Sequence, residues 1–334
     1  MKAANYPGDG EPLEIINKPD PSPKPDEVVI EVHRCGICGT DLHMTEGHHW
    51  QFPAGCTPGH EYAGRVVAKG SQVRHLSEGD LITALPSTGC GNCDACATGN
   101  LALCHNAPGL MGGFAQYISV PEAVSTKLPS TLTAADGALV EPFAVGLYGL
   151  QQAQIKPGAK VLVLGAGSVA LCAIFWAKQL GASVVAMSRS SRREELALAM
   201  GADALINFGD QQQDQIQKLL GGAPDIVVEC IGHPGFIGQG IAMVKPMGKV
   251  VSMGFCTAPD QFTPAMAGFK GVSLLFPVGY TLANFQHCVD VLSGTDFDPK
   301  IIITNTVGLE QLPSMMEKLR GSNQETKVHI NPMV

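Results

Sequence analysis

The sequence predicts a two-domain protein of mixed all-β and α/β class: a leading domain of short strands, then a domain built on a parallel, doubly wound sheet. Three observations carry this. A chain of 334 residues exceeds what one ordinary core serves, and 45% apolar against 16% charged residues supply a large interior. Residues 1–145 are dense in Gly and Pro, with short β-branched runs between turn residues. From Ala159 onward strand-like and helix-like segments alternate, the pattern of a parallel sheet with right-handed crossovers.

In the leading part the runs Val28-Val29-Ile30-Glu31-Val32 and Gly64-Arg65-Val66-Val67-Ala68 read as strands. The alternating part reads as strand Lys160 to Leu164, helix Val169 to Leu180, strand Ser183 to Met187 and helix Arg192 to Met200. It continues with strand Asp225 to Glu229, helix Gly235 to Val244, strand Gly248 to Met253, a loop rich in Pro and Thr, strand Val272 to Phe276 and helix Leu282 to Ser293. The tail from Ile301 holds a short strand, a helix from Leu309 to Arg320 and a last strand from Lys327 to Ile330. The tail is expected to return to the first domain, giving segments 1–145, 146–294 and 295–334. The apolar run Val161 to Ala177 contains Gly165 and Gly167 and is flanked by Lys160 and Lys178, so it reads as a buried strand, turn and helix, not a membrane span.

A net charge of −8 disfavours nucleic acid and anionic membranes as partners, since both need a basic face, and points to small molecules. The first residues lack the basic start and apolar core of a secretory signal, so a cytoplasmic location is expected. Eleven cysteines, an odd count in a long chain, favour metal thiolates and buried thiols over a disulfide framework.

Four of those cysteines form Cys90-x2-Cys93-x2-Cys96-x7-Cys104. The two-residue gaps let successive sulfurs converge from one turn, and the longer gap returns the chain to close a tetrahedron with no open position, the form of a structural zinc site. A second constellation is mixed: Cys38 in Cys38-Gly39-Thr40-Asp41-Leu42-His43, and His60-Glu61 just before the next strand. Thiolate, imidazole and carboxylate make a zinc set that leaves a position for substrate. Two acids compete to complete it, Glu61 and Glu141. Taken singly, Cys38 would be a buried thiol and His60 a core histidine; the company of the cysteine knuckle makes them ligands. Cys35 is read as non-ligating.

Gly165-Ala166-Gly167-Ser168-Val169-Ala170 follows the strand at Val161 and opens a helix, the context in which a Gly pattern binds a dinucleotide pyrophosphate. Gly165 permits the turn, Gly167 admits the phosphates, and the helix N-terminus favours their charge. About twenty residues on, where an acid would bind the ribose 2′-hydroxyl of NAD, stands Met187-Ser188-Arg189-Ser190-Ser191-Arg192-Arg193. Ser188, Arg189 and Arg193 offer donors suited to a 2′-phosphate, so NADP(H) is expected over NAD(H). The alternative is that Arg192 and Arg193 are solvated first-turn residues facing Glu194 and Glu195.

Over essentially its whole length the chain resembles the zinc-dependent medium-chain dehydrogenase/reductase superfamily, the alcohol, sorbitol and threonine dehydrogenase group. The matching motifs are Gly36 to His43, Gly59-His60-Glu61, the cysteine knuckle, Gly112-Gly113-Phe114-Ala115-Gln116-Tyr117 and Gly165 to Ala170. The resemblance implies a GroES-like β domain holding a catalytic zinc, and an NAD(P)-binding Rossmann domain. It implies that Cys38 and His60 bind that zinc with Glu61, and that Glu141 lies where relatives place a residue on the metal or its water. Glu141 rather than a second cysteine turns the likeness toward the polyol and threonine branch. Alternation of Glu61 and Glu141 on the metal is a further expectation.

The resemblance also implies the chemistry: zinc polarises the substrate oxygen, hydride moves between that carbon and nicotinamide, and Thr40 and His43 relay the hydroxyl proton. His48, Trp50 and Phe114 are expected to wall the substrate pocket, the alternative being that Trp50 and Phe114 are core aromatics, with Cys230, Met253 and Val278 bordering the nicotinamide. The expected enzyme is a cytoplasmic homodimer or homotetramer, joined through edge strands of the Rossmann sheet. It interconverts an alcohol and a carbonyl with NADP(H), chiefly in the reducing direction. NAD-dependent polyol or threonine oxidation is the rival enzyme reading, and a nucleotide-binding scaffold without catalysis is the rival of another class.

Overall fold

The computed structural model describes every residue except His49, Pro108, Thr295 and Asp296. The chain divides into two compact units, Met1–Glu141 with Gly279–Val334, and Pro142–Val278. The sequence boundaries differ most at the second crossing. The helix Leu282–Gly294 falls in the first unit, although its place after a strand made it look like the last helix of the alternating series. The expected boundary after Gly294 abuts Thr295, which lies outside the described residues.

The first unit begins with β1 (Lys2–Asn5), β2 (Glu14–Asn17), β3 (Glu27–Gly36), α1 (Gly39–His43), β4 (Glu61–Lys69), β5 (Leu81–Ala84), α2 (Asp94–Ala97), β6 (Tyr117–Pro121), β7 (Ser125–Lys127), α3 (Ala134–Gly137) and the start of α4 (Val140–Gln152). The second unit continues with β8 (Lys160–Leu164), α5 (Ser168–Gln179), β9 (Ser183–Ser188), α6 (Glu194–Ala199), β10 (Ala204–Asn207), α7 (Gln212–Leu220), β11 (Ile226–Glu229), α8 (Phe236–Met243), β12 (Lys249–Ser252), α9 (Pro264–Lys270) and β13 (Ser273–Leu275). The return adds α10 (Leu282–Gly294), β14 (Ile303–Gly308), α11 (Leu312–Arg320) and β15 (Lys327–Asn331).

Two register facts in the first unit's seven-stranded sheet position the candidate site. β3 pairs with β4 so that Gly36 faces Glu61, and β15 pairs with β3 so that His329 faces Gly36. The chain leaving β3, the chain entering β4 and the start of β15 therefore meet at one sheet end. The β3–β4 pairing slips twice, at Val29/Ile30 where Val67 is the extra residue on β4 and at Val32/Arg34 where His33 is the extra residue on β3, and such bulges bend the strand that carries them. One layer of core beneath this sheet joins Tyr6, Ile30, Val32, Tyr62, Ile82, Phe114 and Ile330 to Leu312, Met315 and Met316 of α11.

The second unit has strand order β10-β9-β8-β11-β12-β13, all parallel. That order reverses direction beside β8, which puts the switch point of a doubly wound sheet at the Gly165 turn. β8 reads Lys-Val-Leu-Val-Leu with its last four residues buried, as a central parallel strand covered on both faces requires. Four elements were not anticipated: α4, most of which lies in this unit; β10, only four residues long; α7, in a Gln-rich stretch; and α9, which arises within the Pro- and Thr-rich loop with Pro264 in its first turn. Among the described residues no helix is long and apolar enough to cross a membrane.

Candidate metal centres and nucleotide-binding turn

Cys38 follows β3 and caps α1, while His60 and Glu61 sit at the mouth of β4. Ligand atoms of Cys38, His60 and Glu61 all lie within 4.8 Å of one another. Glu141, the competing acid, stands outside that grouping.

Two further residues organise the set, and sequence reasoning gave a site role to neither. Asp41, fully buried, accepts from Cys38 N at 3.0 Å through Oδ2 and from Gly59 N at 3.3 Å through Oδ1. The same Oδ1 lies 3.4 Å from His60 Nδ1, a nitrogen otherwise buried without a hydrogen-bond partner among the described residues. A carboxylate on one ring nitrogen fixes the imidazole's orientation and leaves Nε2 as the metal donor. Burial alone would lower the His60 pKa, but Asp41 and Cys38 raise it well above the usual histidine value.

Lys327 enters from β15. Its ammonium donates to Glu61 Oε1 at 2.7 Å, to Glu61 Oε2 at 2.6 Å and to Ile37 O at 3.0 Å, and both side chains of the ion pair are 1% exposed. Burial opposes the charge on Lys327, but Glu61 and Cys38 outweigh it and raise its pKa. Gly36 lies directly beneath the carboxylate, where any Cβ would collide with Glu61. The pair fixes the Glu61 carboxylate in place while leaving lone pairs on both oxygens free. Thiolate, oriented imidazole and ionised carboxylate together fit a zinc site with an open position.

Glu141, in the first turn of α4, instead accepts from the Tyr280 hydroxyl at 2.7 Å. Burial pushes its carboxyl up to about 7, with His60 and the Tyr280 hydrogen bond pulling down and Glu61 pushing up.

Thr40 and His43 lie on α1, three residues apart and hence on neighbouring surface of the helix. His43 Nδ1 is 3.5 Å from Glu46 Oε2, which is also 3.6 Å from His48 Nε2. Trp50 is 56% exposed. Phe114 follows the alternative reading, a core aromatic: it is fully buried in the core of the first unit, packed so tightly on Gly59 that a Cβ there would stand 2.7 Å from its ring.

The four sulfurs of Cys90, Cys93, Cys96 and Cys104 also lie within 4.8 Å of one another, with Cys93 and Cys96 3.6 Å apart. Zinc–sulfur bonds of about 2.3 Å set tetrahedral sulfurs about 3.8 Å apart, so the knuckle fits the ion closely. Gly89, at φ +69°, turns the chain where a Cβ would press on Cys96 Sγ. Cys35 is wholly buried and outside both groupings, as expected of a non-ligating thiol.

In the second unit Gly165 (φ +113°) makes the turn after β8, and Gly167 caps α5 with nothing within 4 Å of where its Cβ would be. Ser168 and Val169 form the first turn of α5, where backbone N–H groups lack helical partners and favour an anion. Ser188 ends β9, Arg189 is exposed, and Arg193 donates to Ala166 O at 3.3 Å, laying its guanidinium against the glycine turn. The Cys230 carbonyl lies beside Gly165. Glu229, unanticipated and buried, holds the following loop: Ile231 N and Gly232 N donate to it at 2.6 and 2.7 Å, and Ser252 Oγ at 3.2 Å. Met253 packs its sulfur against Gly149, and Val278 ends the unit 54% exposed.

Residues 24–130 match the alcohol dehydrogenase GroES-like domain, and residues 168–294 match the zinc-binding dehydrogenase domain. The chain is 31% identical to a sorbitol dehydrogenase of Bacillus subtilis, covering 96% of this chain and 94% of that one. It is 34% identical to sorbitol dehydrogenase of Ovis aries, covering 98% and 95%. A crystal structure of a zinc-binding dehydrogenase from Sinorhizobium meliloti bound to NADP superposes with TM-score 0.89 at 30% identity, covering 99% of both chains. With two zinc-ligand groupings, a doubly wound nucleotide sheet and relatives matching nearly end to end, the chain belongs to the zinc-dependent medium-chain dehydrogenase/reductase superfamily.

Proposed function

We propose that this zinc-dependent alcohol/polyol dehydrogenase uses NADP(H) to interconvert a small secondary alcohol or polyol and its carbonyl form. The observation that carries the redox reading is the Cys38–His60–Glu61 grouping in a chain that also holds the Gly165 nucleotide turn. Cofactor choice rests on the end of β9, where Ser188 closes the strand and Arg189 follows it with no acid to meet a ribose 2′-hydroxyl. The NADP-bound relative from S. meliloti supports it.

Zinc, when bound, supplies a Lewis acid for the substrate oxygen. The chain's residues do the rest. Asp41 orients His60, Lys327 holds the Glu61 carboxylate in place, and Thr40 and His43 carry the hydroxyl proton outward, with Glu46 beside His43. One zinc per chain sits in this set and one in the knuckle. We place copies together as a homodimer or homotetramer through β13. Among the described strands β13 pairs only with β12, and the chain exposes Met266 and Phe269 on the preceding α9 and Phe276 just after the strand. Light scattering should give a multiple of 35.0 kDa; a monomer would overturn the assembly.

A second reading, NAD-dependent polyol oxidation, is favoured by the likeness to the sorbitol dehydrogenases. Initial rates with both nucleotides across sorbitol, xylitol, butanediol, simple secondary alcohols and their ketones separate the two. Our reading predicts kcat/KM at least about tenfold higher with the phosphorylated nucleotide, one well-made charged hydrogen bond's worth. A preference for the unphosphorylated one would establish the second reading.

A further inference from the structure

The backbone around Tyr280 is fixed on both sides. Gly279 has φ +71°, and a Cβ there would collide with Ala102 and stand 2.6 Å from Asn100 Oδ1, so the chain crosses the cysteine-knuckle loop where only glycine fits. Immediately after, Thr281 N and Oγ1 donate to Asn284 Oδ1 at 3.0 and 2.8 Å, and Asn284 N donates back to Thr281 Oγ1 at 3.2 Å, capping α10. The Tyr280 ring stacks on the fully buried Phe285, with centroids 5.9 Å apart and planes 15° off parallel. Ring position is thus set by packing and capping.

The hydroxyl so placed donates to Glu141 Oε1 at 2.7 Å, in a buried contact that joins residues 139 positions apart. Among the described residues the phenol is the only hydrogen-bond partner of the Glu141 side chain. Cys38, His60 and Glu61 already provide three converging donors, and three protein donors leave the fourth position to substrate. Glu141 is a second buried acid outside that grouping, and its carboxylate is held where it is by the phenol.

We propose that Tyr280 is a positioning residue which tethers Glu141 outside the coordination sphere and so keeps the fourth metal position open for substrate. This rests on the dehydrogenase reading of the site. Three donors plus an exchangeable ligand make an enzyme, whereas four protein donors make an inert structural site, and a single phenol separates the two states.

The test uses the full-length protein with cobalt(II) in place of zinc, and imidazole as the probe of the open position, read from the cobalt d–d absorption. In the parent protein imidazole binds saturably and shifts the bands. Tyr280→Phe should alter the bands before imidazole is added and weaken imidazole binding about 10- to 100-fold, the range of a hydrogen bond to a charged group. Tyr280→Phe/Glu141→Gln should restore the parent's imidazole affinity, because an amide competes poorly for the metal. Tyr280→Leu should behave like Tyr280→Phe, which guards against a packing fault peculiar to one variant.

Unchanged bands and unchanged affinity in both single variants would overturn the proposal, as would weakened binding that the second substitution does not rescue. The dehydrogenase reading stands or falls separately: a zinc-loaded parent that oxidises no alcohol with either nucleotide would remove that reading while the cobalt spectra still reported on Tyr280.

Discussion

Replacing Lys327 with Met removes a charge and keeps a side chain of similar length. The ammonium is 1% exposed and spends its three protons on Glu61 Oε1, Glu61 Oε2 and Ile37 O, at 2.7, 2.6 and 3.0 Å. Lys327→Met therefore leaves a buried carboxylate without its cation, and stranding one member of a buried pair costs about 3–5 kcal/mol. Urea unfolding of the metal-free protein should show a loss of that size. Zinc should recover part of it, since a cation returns to the carboxylate. Lys327→Met/Glu61→Leu, in which neither charge remains, should recover most of the loss without zinc and should no longer respond to metal at this site. A loss below about 1 kcal/mol in the single variant would refute the reasoning, since it would mean that solvent reaches the pair.

Other consequences follow from the same geometry. His329 is fully buried with neither ring nitrogen partnered among the described residues; burial, then Lys327 on its own strand and Arg34 on β3, lowers its pKa to about 3. As pH falls below about 6.5 the unfolded chain takes up a proton that the folded one refuses, so stability is lost from there toward pH 3, by about 3 kcal/mol at pH 4.5. His329→Phe should flatten that part of the acid limb, and an unchanged limb would show the ring to be solvated. Thr40→Ala should lower kcat about 10- to 100-fold with metal content intact by elemental analysis; full turnover would remove Thr40 from the proton path. Cys96→Ser should lose one zinc per chain and loosen the loop against which Gly279 packs, read as faster proteolysis within 90–104.

How much of this was legible in the sequence depended on how local the determining contacts are. The cysteine knuckle closes within 15 residues of chain, and the Gly165 turn is set by two glycines at the end of one strand, so spacing alone exposed both. Cys38 and His60 are farther apart, yet each lies at a strand mouth that the β-branched runs already marked. Lys327 and Tyr280 were illegible because their partners, Glu61 and Glu141, are 266 and 139 residues away, and only the β15–β3 register and the return of α10 to the first unit bring them close. Asp41 carried a signal that was available: an acid three residues after Cys38 at a helix start can accept from the cap backbone. Phe114 misled because an aromatic after two glycines reads equally as a pocket wall or as core, and the tight seat on Gly59 that decides for core is a tertiary fact. β10, α7 and α9 escaped because four- to nine-residue elements give too few periods of an apolar pattern to stand out, and the longer α4 escaped because it is buried on nearly all sides and shows no polar face to set a period.

The most direct test is zinc stoichiometry combined with selective removal. Protein purified without added metal should carry two zinc ions per chain by elemental analysis. A chelator such as dipicolinate should withdraw one of them from the Cys38–His60–Glu61 set and abolish nucleotide-linked alcohol oxidation, leaving the knuckle zinc and the fold in place. One zinc per chain from the outset, or oxidation that survives loss of the labile ion, would contradict the account and return weight to a scaffold that binds nucleotide without catalysis.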